Sequence, residues 1–337
     1  MKTQIEKCLS GEDLTVMEAS AALDTIMTGG ATDSQIAGLM IALRAKGEAV
    51  DELVGFARTM REHSVKISVE DPDAIDMCGT GGDGSGTFNI STVASFVAAG
   101  AGVTVAKHGN RSVSSLSGSA DVLTALGVNI QCSAETVQSC INRIGIGFLF
   151  APMYHPAMKY AAKPRAELGV RSIFNMIGPL TNPAGVKRQL VGTYHRNALP
   201  LLAGALQKLG VTKACVVHSD DGMDEVTLAD GTMVQEVNRN ESIREYHLQP
   251  EDFGFARLTP DGFRGGDKKA NAAIALQVLQ GERGPARDVV VANAAIGIFV
   301  SGKATTVLEG KQRAEESIQS GKAFEKLKKL IQYTDQP

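Results

Sequence analysis

The chain has 337 residues, 43% of them hydrophobic, with a formal net charge of −3 and no tryptophan. That is enough to bury a sizeable core in one large or two unequal domains, and the near-neutral balance excludes a global attraction to nucleic acid or a membrane surface. Five scattered cysteines without metal-ligand spacing (Cys8, Cys78, Cys132, Cys140 and Cys215) read as reduced thiols of a cytoplasmic protein, and no run of about 20 apolar residues reads as a signal peptide or membrane span.

Residues 1 to about 68 read as entirely helical. Ser10-Gly11-Glu12-Asp13 and Thr32-Asp33-Ser34-Gln35 offer capping residues. Leu14, Met17, Ala21 and Ile26, then Ile36, Leu39 and Leu43, recur at helical spacing, and residues 51–61 carry a further amphipathic turn sequence. By itself this segment reads as a small bundle or dimerisation element without chemistry of its own.

From Ala74 the rhythm becomes strand, loop, helix, strand. Strands are predicted at 74–78, 103–106, 190–193, 214–218 and 289–291, and helices at 90–100, 120–127, 198–209 and 268–279. Residues 140–150 read as helix into strand, 152–183 as a crossing between domains, and 225–237 as a hairpin around Asp230-Gly231. A lysine-rich amphipathic helix falls within 309–333. Such alternation predicts a parallel sheet covered by helices, with ligands at the carboxyl ends of its strands.

Two of those ends stand out. The first carries Gly79-Thr80-Gly81-Gly82-Asp83-Gly84-Ser85-Gly86-Thr87-Phe88-Asn89, and the second Lys107-His108-Gly109-Asn110-Arg111 followed by Ser112, Ser114, Ser115, Ser117 and Ser119. No Asp or Glu occurs from Gly84 to Ala120. Gly79-x-Gly81-x-x-Gly84 formally matches a dinucleotide fingerprint, but that motif needs an acid at the end of the second strand, where Lys107-His108 stands instead. A Walker loop lacks its Gly-Lys-Ser/Thr. An ordinary strand-to-helix turn remains open, yet five glycines in eight residues before a helix start suit backbone amides closing on a diphosphate. Lys107 could neutralise a phosphate surrounded by serine hydroxyls.

Asp224-Glu225 follows the strand at 214–218 and is either an acidic turn or a seat for a hard cation. A diphosphate beside carboxylates favours Mg²⁺, which takes one or two carboxylates plus phosphate oxygens. Arg165 is either a surface ion-pair partner or a planar fork for a substrate carboxylate. Tyr154 and His155 are either core or the wall of a site.

Together, Gly79-Thr80-Gly81-Gly82-Asp83, Asn89-Ile90-Ser91-Thr92, Lys107-His108-Gly109-Asn110-Arg111, Arg171-Ser172-Ile173-Phe174-Asn175, Gly178-Pro179-Leu180-Thr181-Asn182-Pro183 and Gly222-Met223-Asp224-Glu225 closely resemble the anthranilate phosphoribosyltransferases, the second enzymes of the tryptophan branch. The resemblance runs in order over nearly the whole chain; Leu116 departs from it, standing where many relatives carry a basic residue. It implies an α/β fold with a small all-helical N-terminal domain, residues 1–68 completed by helices within about 165–185. The larger α/β domain, 72–337, would have a mainly parallel central sheet. It further implies a cytoplasmic homodimer formed through the helical domain, with small-molecule substrates and neither a nucleic-acid nor a membrane partner.

The resemblance also assigns roles. Phosphoribosyl pyrophosphate would be held by Gly79, Gly82, Asp83, Thr87, Asn89, Ile90, Ser91 and Thr92, by Lys107, His108, Gly109, Asn110, Arg111, Ser112, Val113, Ser114 and Ser115, and by Ser119. Gly79, Asn110 and Arg165 would orient anthranilate, with His108, Tyr154, His155 and Met158 along its entry path. Ser91, Asp224 and Glu225 would bind Mg²⁺, two ions per monomer. Lys107, Asn110 and Arg165 act by positioning, and no side chain is expected as general base. The alternatives are a pyrimidine nucleoside phosphorylase, which shares the architecture but uses inorganic phosphate, and a non-catalytic relative that binds nucleic acid or a regulatory ligand.

Overall fold

The computed structural model describes residues 1–112 and 116–335. Four helices open the chain: α1 (Lys2–Leu9), α2 (Val16–Met27), α3 (Asp33–Lys46) and α4 (Val50–Glu62). Helices α2 and α3 begin in full capping boxes, Thr15 with Glu18 and Thr32 with Gln35. The cap of α2 is therefore Thr15 and not the Ser10 group, which trails α1. Helix ends at Glu62, so the segment up to residue 68 is not entirely helical. Helices α2 and α4 cross where Gly55 has no side chain; a Cβ there would lie 2.6 Å from the Val16 carbonyl oxygen and 2.7 Å from the Ala19 Cβ.

The remaining elements, in chain order, are β1 (Ile75–Gly79), α5 (Ile90–Gly100), β2 (Val105–Gly109), α6 (Ser119–Ala125), α7 (Ala134–Ile144), β3 (Ile146–Phe150), α8 (Ala151–Tyr154), α9 (Lys159–Leu168), α10 (Ile173–Ile177), β4 (Arg188–Gly192), α11 (Ala198–Lys208), β5 (Lys213–Ser219), β6 (Thr232–Asn238), β7 (Arg244–Leu248), α12 (Lys268–Leu279), α13 (Pro285–Ser301), α14 (Val307–Gln319) and α15 (Lys322–Thr334). The strands form one seven-stranded sheet in the order β3-β2-β1-β4-β5-β6-β7. The first five run parallel, and β6 and β7 are antiparallel additions at one edge.

Helices cover both faces, so the parallel strands are buried along most of their length, polar residues included, and all five residues of β3 are buried. Helices α5 and α12–α15 build the core on one face. On the other, α11 joins the sheet to α4, while α9 and α10 return from the α/β part to pack on α2–α4. No helix among the described residues is long and apolar enough to cross a membrane.

Several local expectations change. Val289–Val291 lie inside α13, not in a strand. Residues 225–231 form a loop; Asp230-Gly231 leads into β6, whose partners are β5 and β7. The carboxyl-terminal amphipathic stretch is two helices broken at Gly321, which has φ +75°. Strand β2 begins two residues later than predicted and contains Lys107 and His108.

Candidate active site

The strand order reverses beside β1, because β2 lies on one side of it and β4 on the other. A crevice at the carboxyl ends of parallel strands is expected at such a switch point. Gly79 closes β1 and pairs in register with Gly192, the last residue of β4. Asp224, arriving from the loop after β5, lies across both. A Cβ on Gly79 would overlap the Asp224 carboxylate, and one on Gly192 would overlap the Asp224 carbonyl oxygen. The two glycines are thus the space into which the acid fits.

Beyond Gly79 the chain takes positive φ at Gly81, Gly82, Gly84 and Gly86, between 68° and 77°. Residues with side chains rarely adopt that conformation, which explains the glycine spacing. The Gly81 amide donates to Asp224 Oδ2 at 2.7 Å, whereas the amides of Gly82, Asp83 and Gly84 have no partner among the described residues. Successive free amides on a turn of this kind form a concavity suited to phosphate oxygens. Asp83 folds back inside it, accepting from Ser85 Oγ at 2.6 Å and from the Asp224 amide at 3.2 Å. Ser85 Oγ in turn lies 3.2 Å from Thr87 Oγ1.

The loop is strapped down from a distant segment. Phe88 donates its amide to the Phe263 carbonyl at 3.1 Å, and Gly265 donates to the Gly86 carbonyl at 2.9 Å. Buried Asn271 reaches Asn89 Oδ1 at 3.0 Å, and Asn89 Nδ2 donates to the Ser117 carbonyl at 3.1 Å. Asn89 thereby ties the glycine loop to the basic loop. The strap and Asn271 escaped sequence reading because their partners lie far away in the chain.

Helix α5 starts directly after Asn89. The Ile90 side chain is fully buried in the core and Thr92 is nearly so. The Ser91 amide, an unpaired group of the helix start, donates to Glu225 Oε1 at 3.0 Å. Lys107 is 4% exposed and aims Nζ at the Met77 carbonyl, with Ser91 Oγ 3.5 Å away. Lys107, Ser91, Asp224 and Glu225 therefore converge, although they come from β2, α5 and the loop after β5.

None of Asp83, Asp224 and Glu225 makes an ion pair among the described residues. Burial pushes Asp224 well above the ordinary carboxylate range, and the charges of Asp83 and Glu225 add to the shift. Burial raises Glu225 to about 7, partly opposed by Lys107. Two hard, half-buried and under-neutralised carboxylates beside a serine hydroxyl fit Mg²⁺. No group of three His, Cys, Asp or Glu is arranged for a metal among the described residues, so phosphate oxygens and water would have to complete the shell.

The second loop diverges from expectation in part. Arg111 is bound to Asp121, Nη1 to Oδ1 at 2.9 Å, and its guanidinium lies 5.6 Å from the Phe150 ring centroid. Asp121 also accepts from the Ser112 and Gly118 amides at 3.2 and 2.9 Å, so one acid shapes the loop that a phosphate would enter. Asn110 is exposed; its Oδ1 accepts from the Arg111 amide at 2.7 Å, and its Nδ2 has no partner among the described residues. Ser119 Oγ donates to the Asn110 carbonyl at 3.2 Å, and a Cβ on Gly109 would overlap Ser119. Leu116 is 80% exposed. The expected ligands Val113, Ser114 and Ser115 lie outside the described residues.

His108 is buried, not open to an entry path. Its ring meets that of His155 edge to face, 5.2 Å between centroids. Burial holds His108 near 3 and His155 near 4, so both are neutral and weakly basic at pH 7. The His108 amide donates to Asp76 Oδ1, and Asn182 Nδ2 donates to Asp76 Oδ2 and the Ala106 carbonyl. Tyr154 belongs to a buried cluster with Ile67, Leu149 and Val186 and lines no path; Met158 is partly buried against the helical layer.

Arg165, on α9, stacks its guanidinium 5.2 Å from the centroid of Phe174 on α10. Burial lowers its pKa, and it has no carboxylate partner among the described residues. A half-buried cation without an acid is suited to a carboxylate from outside.

Comparison with known proteins follows the same division. Residues 2–64 match the glycosyl transferase family helical bundle domain, and residues 71–324 match the a/b domain of the same family. The chain is 52% identical to an anthranilate phosphoribosyltransferase of Pelotomaculum thermopropionicum over 334 residues, 99% of this chain and 96% of that one. Among solved structures it is similar to the anthranilate phosphoribosyltransferase of Thermus thermophilus, with a TM-score of 0.94 and 41% identity over 99% of each chain. It is also similar to that of Saccharomyces cerevisiae in complex with PRPP and Mg, with a TM-score of 0.91 and 28% identity over 99% of this chain and 97% of that one.

Proposed function

The chain belongs to the glycosyl transferase family and, within it, to the anthranilate phosphoribosyltransferases, and from that membership we infer how its residues divide the work of one reaction. The protein transfers the phosphoribosyl group from phosphoribosyl pyrophosphate to the amine of anthranilate, giving N-(5-phosphoribosyl)anthranilate and pyrophosphate in tryptophan biosynthesis. The observation that carries the assignment of roles is the convergence of Asp224 and Glu225 on the amides of Gly81 and Ser91.

The amides of Gly82, Asp83 and Gly84, with Lys107, Ser91, Thr87 and Asn89, hold the diphosphate end. Ser119 and the loop shaped by Asp121 surround the 5-phosphate. Asp224, Glu225 and Ser91 would hold Mg²⁺, two ions per monomer in our reading, which supplies neutralisation of the departing pyrophosphate. The acceptor amine attacks the ribose C1 as the C1–O bond to pyrophosphate breaks, and the bonding pair leaves with the pyrophosphate. Arg165 pairs with the anthranilate carboxylate, and Asn110 helps to orient the acceptor. The amine loses its proton after attack, so no general base is required; neutral, buried His108 and His155 agree with that reading.

The raised Glu225 has a measurable consequence. Without metal, its carboxyl keeps a proton below about pH 7, and a cation must displace that proton to bind. Mg²⁺ affinity in the absence of substrate should therefore fall at least roughly tenfold per pH unit as the pH drops below about 7, because the raised Asp224 must give up its proton as well. Titration calorimetry in two buffers of different ionisation heat should find at least about one proton released per site at pH 6 and fewer at pH 8.5. Affinity that is flat from pH 6 to pH 8 would remove Glu225 as a ligand.

We also propose a cytoplasmic homodimer formed through the helical layer. Leu9 at 67% and Met17 at 83% exposure are large apolar side chains beside α1 and α2 with nothing to cover them in one chain. A solution mass of one chain by light scattering would reject the dimer.

The functional reading is tested by mixing the protein with Mg²⁺, phosphoribosyl pyrophosphate and anthranilate and following anthranilate fluorescence. Loss of signal supports it; no loss, together with phosphorolysis of uridine or thymidine, would favour a nucleoside phosphorylase.

A further inference from the structure

We propose that Arg171 is a positioning residue that sets the glycine loop for the diphosphate and joins it to the acceptor side of the cleft. The proposal rests on the functional reading above.

Arg171 lies in the short link between α9 and α10, a segment that belongs to the helical layer. Its Nη2 donates to the Gly82 carbonyl, and its guanidinium lies 4.2 Å from the ring centroid of Tyr194, just beyond β4. It forms no ion pair with an acid among the described residues. The Tyr194 amide donates to Thr80 Oγ1 at 3.0 Å, and the Thr80 amide donates to the Gly192 carbonyl at 2.9 Å. Arg171 and its aromatic platform therefore grip the loop on both sides of Gly81. The link is itself anchored, since Arg44 Nη1 donates to the Arg171 carbonyl.

A loop with four glycines at positive φ has many accessible backbone conformations. In a trans peptide the carbonyl and the following amide point in opposite directions. Holding the Gly82 carbonyl towards Arg171 therefore turns the Asp83 amide away from it, and Asp83 is one of the three unpartnered amides. A guanidinium suits the task because its planar fork can donate to the carbonyl while its face stacks on tyrosine. The link is also short. Arg165 precedes Arg171 by six residues and Phe174, its stacking partner, follows by three, so one segment touches both ends of the cleft.

Titration calorimetry separates this role from mere support of the fold. In Arg171→Gln, affinity for phosphoribosyl pyrophosphate with Mg²⁺, measured without anthranilate, should fall about tenfold, while affinity for anthranilate alone changes less than about twofold. Turnover at saturating substrates should stay within about threefold, so the defect appears in KM. Arg171→Lys, which keeps the charge but loses the fork and the stack, should lie between the two. A fall of less than about twofold for phosphoribosyl pyrophosphate, or equal losses for both substrates, would overturn the proposal. If Arg171→Gln does not fold, Tyr194→Leu removes the platform and should weaken phosphoribosyl pyrophosphate about threefold; unchanged affinity there would overturn it equally. Wild-type protein that binds no phosphoribosyl pyrophosphate would instead reject the functional reading.

Discussion

Replacing Asp224 by Asn and Glu225 by Gln together should lower turnover on the order of 10³-fold, about 4 kcal/mol of transition-state stabilisation, and leave the protein folded. The substitutions keep acceptor oxygens for the Gly81 and Ser91 amides, at 2.7 and 3.0 Å, so the loop and the start of α5 retain their bonds. They remove the charges that hold a cation. In the metal-free protein the half-buried pair sits beside Asp83, and the neighbouring carboxylates raise the cost of ionising Asp224 and Glu225. The double variant should therefore melt no lower than wild type when Mg²⁺ is absent, and lose the stabilisation that Mg²⁺ gives wild type. Calorimetric melting with and without Mg²⁺, alongside turnover, checks both halves. Full activity in the variant would remove the metal assignment.

The second large effect is expected at Arg165. Arg165→Gln should raise the KM for anthranilate roughly 10- to 100-fold, the loss of a charge-assisted pair worth about 1.5–3 kcal/mol, with little change in kcat at saturation. Its guanidinium is already stacked on Phe174 and already partly desolvated, so little ordering remains when a carboxylate arrives. Arg165→Lys should recover only part, because an ammonium neither stacks as a plane nor forks. The KM for phosphoribosyl pyrophosphate should stay within about twofold, since Arg165 and the diphosphate cradle lie on different elements. Steady-state kinetics varying each substrate in turn gives both numbers. An unchanged KM for anthranilate would place the acceptor elsewhere.

What the sequence made legible follows the range of the interactions. The glycine loop could be read because positive φ at four positions is a local demand that only glycine meets cheaply. Helix α5 was legible to the residue, since Asn89 precedes it and Gly100 and Gly102 close it. The strand predicted at 289–291 failed for an instructive reason. Val289, Val290 and Val291 are β-branched and all fully buried, so α13 shows no amphipathic period to betray it. Pro285 at its first turn and Gly302 just past its end were the better signals. The hairpin was misplaced because Asp230-Gly231 looks like a tight turn, whereas the reversal from β6 to β7 runs through Asn240, whose φ is 64°.

At the site, residue types were legible and pairings were not. Asp224-Glu225 could be read as a cation seat from composition, but not that Gly79 and Gly192 make room for it. Arg111 looked like a free phosphate ligand, whereas it is paired with Asp121, ten residues on. Asn271 and Asp76 carry no local motif, and the segment 178–183 does not disclose what Asn182 binds; their roles come from partners far away in sequence.

The central claim is that a metal-dependent diphosphate cradle and a separate acceptor site meet over this rim. It is tested most directly by counting pyrophosphate released against anthranilate consumed in one reaction mixture, with Mg²⁺ and then with excess chelator. One pyrophosphate for each anthranilate with Mg²⁺, and neither change with chelator, is the predicted result. Pyrophosphate release without anthranilate consumption, or undiminished transfer in chelator, would contradict it.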